Sequence, residues 1–300
     1  IALPQVFVDS PLDVRAIVEF AGRAEHLGYS GLWTQDQVIG TAPTLEAITL
    51  LTYVAAVTHR IRLGASVIVL AQRQPIQLAK ALSTLDQLSA GRVDIGVGLG
   101  NPGPHQQSFG IEPGERLGRF REGLAVMKAL WADGNADRDG PTWPLRDAGM
   151  EPKPIQRPHP RLWFGASHPN AIRRAVREGN GWMGAGSSTL EQFETQRALV
   201  AQALDETGRD PHDFKIAKRL YVALDDDTER AERRLRNWFE AYYGNPDLAS
   251  RVCVWGEEPT IVAAIEQIRH AGADMVLLHP VLDPAAHLEQ LAAMFLGGAR

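Results

Sequence analysis

A short grammar recurs along this chain and limits its fold more than any other feature: an amphipathic helix, a glycine, then a short continuous apolar strand. At residues 10–34, Ser10 is placed to cap a helix with Pro11 at its first position. Val14, Ile17, Val18, Ala21 and Leu27 then fall on one helical stripe. Gly28 stops that helix, and Gly31-Leu32-Trp33-Thr34 begins a buried strand. The unit returns at Ala175, Val176 and Glu178-Gly179 before Trp182-Met183. It returns again at Ile261, Ala264, Ile265, Ile268 and Ala271-Gly272 before Met275-Val276-Leu277-Leu278. Variants lead from residues 57–60 into 61–64 and from 88–92 into 93–96. Such alternation calls for a parallel sheet covered by helices. Strands near Ala2, Leu32, Leu63, Ile95, Trp163, Met183, Ala217 and Leu277 make eight units. Eight favours a closed (β/α)8 TIM barrel, one domain over residues 1–300, rather than an open doubly wound sheet.

Two segments interrupt the rhythm as insertions, 101–118 and 133–160, both rich in Pro or Gly. The first follows a strand directly and belongs at the C-terminal face, where barrel loops carry function. The second follows the helix holding Leu124, Met127, Leu130 and Trp131, and so starts at the opposite face.

Chemistry in a barrel is expected from strand C-termini. Those positions read Gln35-Asp36-Gln37, Ala65-Ser66-Val67-Ile68, Gly96-Val97-Gly98-Leu99-Gly100-Asn101, Gly165-Ala166-Ser167-His168-Pro169, Gly184-Ala185-Gly186-Ser187 and His279-Pro280. They hold no His-x-His pair and no His–carboxylate cluster, so a metallohydrolase and a resident metal are not expected. Lys80 on a helix and Lys218 within a strand are poor Schiff-base candidates. Small residues dominate instead, and Gly98, Gly100 and Gly165 would let a large flat ligand approach the backbone. Gly165-Ala166-Ser167 ahead of Pro169 is a strand-to-helix turn whose N–H groups can hold a phosphate, or whose Ser167 or His168 caps the helix.

Composition narrows the partners. The net charge of −5 forms no basic stripe of the kind a nucleic-acid binder needs. Arg173, Arg174 and Arg177, and Arg230, Arg233, Arg234 and Arg236, alternate with glutamates and read as solvated helix faces. The single cysteine, Cys253, excludes an internal disulfide and reads as a small buried hydrophobe in Val252-Cys253-Val254-Trp255. No apolar stretch reaches membrane-spanning length and no signal peptide opens the sequence, so a cytoplasmic location is expected.

The sequence resembles the luciferase-like flavin- and F420-dependent oxidoreductases. The likeness is carried by Ala24-Glu25-His26-Leu27-Gly28-Tyr29-Ser30-Gly31-Leu32-Trp33 with Asp36, and by Arg62-Leu63-Gly64-Ala65-Ser66-Val67. It continues through residues 82–92, Gly96-Val97-Gly98 and Ile268-Arg269-His270-Ala271-Gly272-Ala273-Asp274. The resemblance implies a cofactor ring across the strand ends and a non-proline cis peptide at Ser66–Val67. It implies Asp36 near the polar part of the cofactor, Asn101 near the ring, and Gly165, Ala166, Ser167, Gly184 and Ala185 around the phosphate and tail, with Gly98 among the cofactor-binding positions.

The sequence also departs from its F420-dependent sugar-phosphate dehydrogenase relatives, which carry a His and an acid where this chain has Gln37 and Asn101. Neither amide is a general acid or base at neutral pH. Gln37, Asn101 and His105 are the expected catalytic positions, with His168 and His279 as further proton-transfer candidates. The expected activity is hydride transfer between F420 and a small organic substrate. Alternatives are an FMN-dependent monooxygenase served by a separate reductase, and a cofactor-binding protein without turnover. Phe109, Trp131, Trp143, Met150 and Trp163 are the candidate pocket aromatics and thioether, with Trp131 assigned to the core, Trp163 to a strand, and Phe109 and Trp143 to a lid. A homodimer is expected from the resemblance.

Overall fold

The parallel strands required by the helix–glycine–strand grammar close on themselves. A computed structural model describes residues 1–100 and 105–297. In chain order its elements are α1 (Val14–His26), β1 (Gly31–Thr34), α2 (Ala47–Ala55), β2 (Arg62–Val69), α3 (Pro75–Leu88), β3 (Val93–Gly98), α4 (Arg116–Trp131), β4 (Ala136–Arg138), β5 (Leu145–Ala148), β6 (Arg161–Gly165), α5 (Pro169–Glu178), β7 (Gly181–Gly184), α6 (Leu190–Thr207), β8 (Lys215–Leu224), α7 (Thr228–Tyr243), α8 (Ala249–Val252), β9 (Cys253–Gly256), α9 (Glu258–His270), β10 (Met275–Pro280) and α10 (Pro284–Phe295). Strands pair in the order β1-β2-β3-β6-β7-β8-β10, every pair parallel. Residues 1–3 supply the eighth stave. Ala2 N–H donates to the Leu278 carbonyl at 2.8 Å, and Trp33 N–H donates to Ile1 at 3.0 Å. The eight staves are those expected from the sequence.

Each strand sends alternate residues to two cores. Outward residues such as Leu32, Leu63, Ile95, Val97, Leu162, Phe164 and Leu278 pack against the helices. Inward residues fill the barrel in layers. Trp33 and Trp163 occupy the lower layer edge to face, with ring centroids 6.1 Å apart. Gly64 and Gly181 make room for them, because a Cβ there would stand 2.3 and 2.5 Å from the Trp33 and Trp163 rings. Asp94 closes the bottom, paired with Arg62 at 2.5 Å and Arg161 at 3.4 Å.

Several expectations shift. The first helix starts at Val14, because the Asp13 carboxylate accepts from the N–H groups of Arg15 and Ala16 at 2.9 and 3.2 Å. Ser10 therefore does not cap it. Arg174 leaves the solvated face and is buried beside the Phe120 ring, with its guanidinium 5.9 Å from the centroid. Met150 is core rather than pocket lining. Trp131 is fully buried and Trp163 lies in β6, as the sequence indicates.

The 133–160 insertion begins at the lower face and is stapled there. The Lys153 ammonium donates to the Leu130 and Gly134 carbonyls, and the Gln156 amide donates to Asp86 and Val93. Its β4–β5 hairpin lies along α4, where the Thr142 and Trp143 N–H groups donate to Glu122 at 3.0 and 2.7 Å. Trp143 sits beneath the Arg119 guanidinium, 5.1 Å away.

A further insertion is not evident from the sequence. Between β8 and α9 lie α7, α8 and β9, and β9 pairs with Tyr221–Leu224 where β7 has already ended. Cys253 begins this strand, and burial pushes its thiol pKa up. No helix among the described residues is long and apolar enough to cross a membrane.

Candidate functional site

The upper interior of the barrel is where the inward-facing positions turn polar. β2 bulges between Ala65 and Ile68, and the Ser66–Val67 peptide is cis, as the resemblance implies. The bulge turns Val67 into the barrel. A Cβ on Gly98 would stand 2.5 Å from Val67 Cγ2, one on Gly96 3.1 Å from Cγ1, and one on Gly165 3.0 Å from Cγ1. Gly98 and Gly165 therefore serve first to seat Val67, where the sequence suggests close approach of a ligand. Gly100 does the same for Val69, whose Cγ1 would be 2.6 Å from its Cβ.

Above Val67 lie Gln35 after β1, the Ser66 carbonyl of β2, Arg219 and Tyr221 in β8, and His279 in β10. Arg219 is 5% exposed. It donates to Gln35 Oε1, to His279 Nδ1 at 3.2 Å and to the Ser66 carbonyl at 2.8 Å, which ties β8 to the bulge. That bond makes His279 Nδ1 an acceptor, and burial together with the Arg219 charge holds the imidazole pKa well below its usual value. His279 is thus neutral, placed within the site rather than at its rim. Tyr221 is fully buried, and its hydroxyl is 3.4 Å from Gln35 Oε1 and 2.5 Å from the Tyr243 hydroxyl. Tyr243 belongs to the end of α7, which crosses toward the loop after β1. Burial of the Tyr243 hydroxyl beside Tyr221 raises its pKa well above the phenol range, so it stays protonated.

The other expected site residues divide into three groups. Asp36 bridges strands: its carboxylate accepts from the Val69 N–H at 2.9 Å and pairs with Arg73, which also meets Glu46 at 2.9 Å. Gln37 turns away from the barrel axis, donating to the Tyr242 carbonyl at 3.4 Å and accepting from Thr44 at 3.3 Å. His105 is exposed, and Asn101 lies outside the described residues. The third group surrounds the start of α5. His168 is the cap, its Nδ1 accepting from Asn170 N–H at 3.2 Å, so the capping role falls to the imidazole rather than Ser167. The N–H groups of Ser167 and His168 have no acceptor among the described residues, and neither do those of Ala185, Gly186 and Ser187. Gly184 itself faces outward to seat Phe193.

The 185–188 turn is held by Lys218, whose ammonium donates to the Ala185 and Ser188 carbonyls at 2.6 and 2.8 Å. Burial and the adjacent Arg219 charge bring its pKa down to about 7. Lys218 points out of the barrel and acts on the turn. The free N–H groups of that turn and of the α5 entry suit an anionic tail, and the small residues at the strand ends beside the Val67 bulge suit a flat ring. These features fit a flavin-type cofactor.

Sequence reasoning missed Arg219 and Tyr221, although the phase of β8 contains them. With Ala217 facing inward, residues 219 and 221 share its face. Lys215–Leu224 lacks a glycine or proline to mark where the stave reaches the site.

Comparison with known proteins agrees with this architecture. The luciferase-like monooxygenase family model matches residues 3–274. The F420-dependent glucose-6-phosphate dehydrogenase of Beutenbergia cavernae is 32% identical over 235 residues, spanning 75% of this chain and 68% of that protein. Among solved structures, monooxygenase RslO1 from Streptomyces bottropensis aligns with a TM-score of 0.84 at 25% identity, covering 99% of this chain and 98% of the other. An F420-dependent secondary alcohol dehydrogenase has the same fold, with a TM-score of 0.82 at 19% identity over 94% of each chain. The chain belongs to the luciferase-like monooxygenase family, as an oxidoreductase barrel with F420-dependent dehydrogenases among its relatives.

Proposed function

We propose that this protein is an F420-dependent oxidoreductase that moves a hydride to or from a small organic substrate at the C-terminal face of the barrel. The observation that carries the reading is the 32% identity to an F420-dependent dehydrogenase along most of the chain. The ring would lie over the Ser66–Val67 bulge, with its tail at the N–H groups of residues 167–168 and 185–187. When bound, the deazaflavin supplies the hydride chemistry, and the chain supplies position, charge and dryness. Arg219 fixes the bulge. The Tyr221–Tyr243 hydroxyl pair holds protons at the mouth, and the neutral His279, with Nδ1 accepting from Arg219, carries its one proton on Nε2. Glucose 6-phosphate is not the proposed substrate, because the Gln37 amide is engaged by Tyr242 and Thr44.

FMN-dependent monooxygenation, with reduced flavin from a separate reductase, is the second reading. It is favoured by the end-to-end likeness to RslO1. Equilibrium titration of the purified chain with F420 and with FMN separates the two. Binding of F420 at least tenfold tighter than FMN, followed by F420 reduction with one of a panel of alcohols, is the expected result. A preference for FMN would transfer the assignment to the monooxygenase. Binding of F420 without exchange with any donor or acceptor would point to a cofactor carrier.

A further inference from the structure

Arg92 and Arg219 are both buried with no carboxylate within ion-pair distance among the described residues, and their surroundings differ. Arg92 donates through Nε to the Ser89 carbonyl, through Nη1 to the Thr58 hydroxyl and the Ile61 carbonyl, and through Nη2 to the Ala55 and Thr58 carbonyls. All five of its N–H groups are satisfied. It is a rivet between α2, α3 and the strand below. Arg219 meets only three acceptors, Gln35 Oε1, His279 Nδ1 and the Ser66 carbonyl. Two of its N–H groups have none among the described residues.

Beside it, Gln35 Nε2 is a second orphan, on a side chain 7% exposed. The Gln35 amide cannot be reversed, because Arg219 and the Tyr221 hydroxyl both donate to its oxygen. Its backbone is fixed as well, with the Gln35 N–H donating to Gln5 Oε1 at 2.8 Å and the Gln35 carbonyl accepting from Gln5 Nε2 at 2.8 Å. The upper barrel thus holds a positive charge together with N–H bonds that meet no acceptor among the described residues: two on Gln35 Nε2, a fully buried atom, and two on Arg219. A buried donor without an acceptor is costly, and a buried cation more so, unless something supplies the missing oxygen.

We propose that Arg219 and Gln35 Nε2 form a preformed site for one negatively charged oxygen group, a carboxylate or an enolate-type oxygen, inside the mouth of the barrel. Two sources can supply that chemistry: an acid group on the substrate, or a ring oxygen of the cofactor in its anionic reduced form. The choice of source rests on the function proposed above. The site itself does not, since it is built entirely from this chain.

The test uses the cofactor-free protein, with acetate as the probe and acetamide as its neutral isostere at constant ionic strength. The melting temperature and the His279 imidazole ¹⁵N shift are read, the latter because Nδ1 is bonded directly to Arg219. Acetate should give a saturable response that acetamide does not. Gln35→Glu places a carboxylate against Arg219. It should weaken acetate about 10- to 100-fold, the range of a charged hydrogen bond, and should melt higher than the wild type without acetate. Arg219→Lys keeps the charge with fewer donors and should fall between the two.

Repeating the titration on cofactor-loaded protein identifies the source: a retained response assigns the site to the substrate, and a lost one assigns it to the ring oxygens. Equal responses to acetate and acetamide, or an undiminished acetate response in folded Gln35→Glu, would overturn the proposal. If acetate binds while neither F420 nor FMN does, the anion site stands and the cofactor reading falls. If a cofactor binds while acetate has no effect on the free protein, the anion site falls and the cofactor reading stands.

Discussion

Seating Val67 among three glycines makes a quantitative prediction about the floor of the site. Gly98→Ala would put a methyl 2.5 Å from Val67 Cγ2, roughly an ångström inside ordinary contact. Val67 has little freedom to swing aside, because its χ1 is restricted by β-branching and its other methyl packs toward the backbone of Gly96 and Gly165. The overpacking should cost about 1–3 kcal/mol. Val67→Ala alone removes two methyl groups and leaves a small void, at about 2 kcal/mol. Combined, the methyl introduced at position 98 enters the space left by Cγ2. The double variant should therefore be less destabilised than the sum of the two, by a coupling of about 1–2 kcal/mol. Urea unfolding of the wild type, both single variants and the double variant measures this directly. On the proposed function the bulge would be the floor for the ring, so F420 binding should follow the same order, with Gly98→Ala weakest. Costs that add to within about 0.5 kcal/mol would refute the idea that these glycines exist to seat Val67.

Other predictions follow from groups around the site. Asp36→Asn leaves Arg73 short of a buried partner and should cost about 3 kcal/mol, read by thermal unfolding. His287 is buried, with Nε2 accepting from the Leu224 N–H at 2.7 Å and Nδ1 3.1 Å from the Asp283 carbonyl, an arrangement that needs the neutral ring. Burial is the main cause that lowers its pKa, and that of His279, from 6.5. A base depressed in the folded state stabilises fully above the unfolded pKa, so stability should decline as pH falls below about 6.5. The slope should reach up to ~1.4 kcal/mol per pH unit for each histidine, and His287→Gln should remove one of the two contributions. A slope in His287→Gln equal to that of the wild type would contradict this. Glu122→Gln weakens the acceptor that holds Thr142 and Trp143, and limited proteolysis should then cut the β4–β5 hairpin faster while the barrel stays intact.

The division between what was legible and what was not follows from the range of the interactions. Helices and barrel staves were readable because helix period, capping and strand length are local. The cis Ser66–Val67 position was identifiable by its surrounding motif. The function of the glycines was not: Gly64, Gly98 and Gly165 look alike as sequence, yet one seats Trp33 and the others Val67, partners supplied by neighbouring strands. Gln37 stood at the motif position for chemistry, but the end of α7 draws it outward, a contact more than two hundred residues distant.

The sequence by itself determined an eight-stave parallel barrel and the family to which it belongs. Repetition of one local unit leaves few other ways to bury each apolar face. Only the tertiary structure decided what occupies the mouth. Gln35, Arg219 and Tyr221 come from staves on opposite sides of the closure, and 184 residues separate Gln35 from Arg219. Closing the sheet removes them from water and leaves a charge with too few acceptors, a condition that no stretch of sequence carries alone.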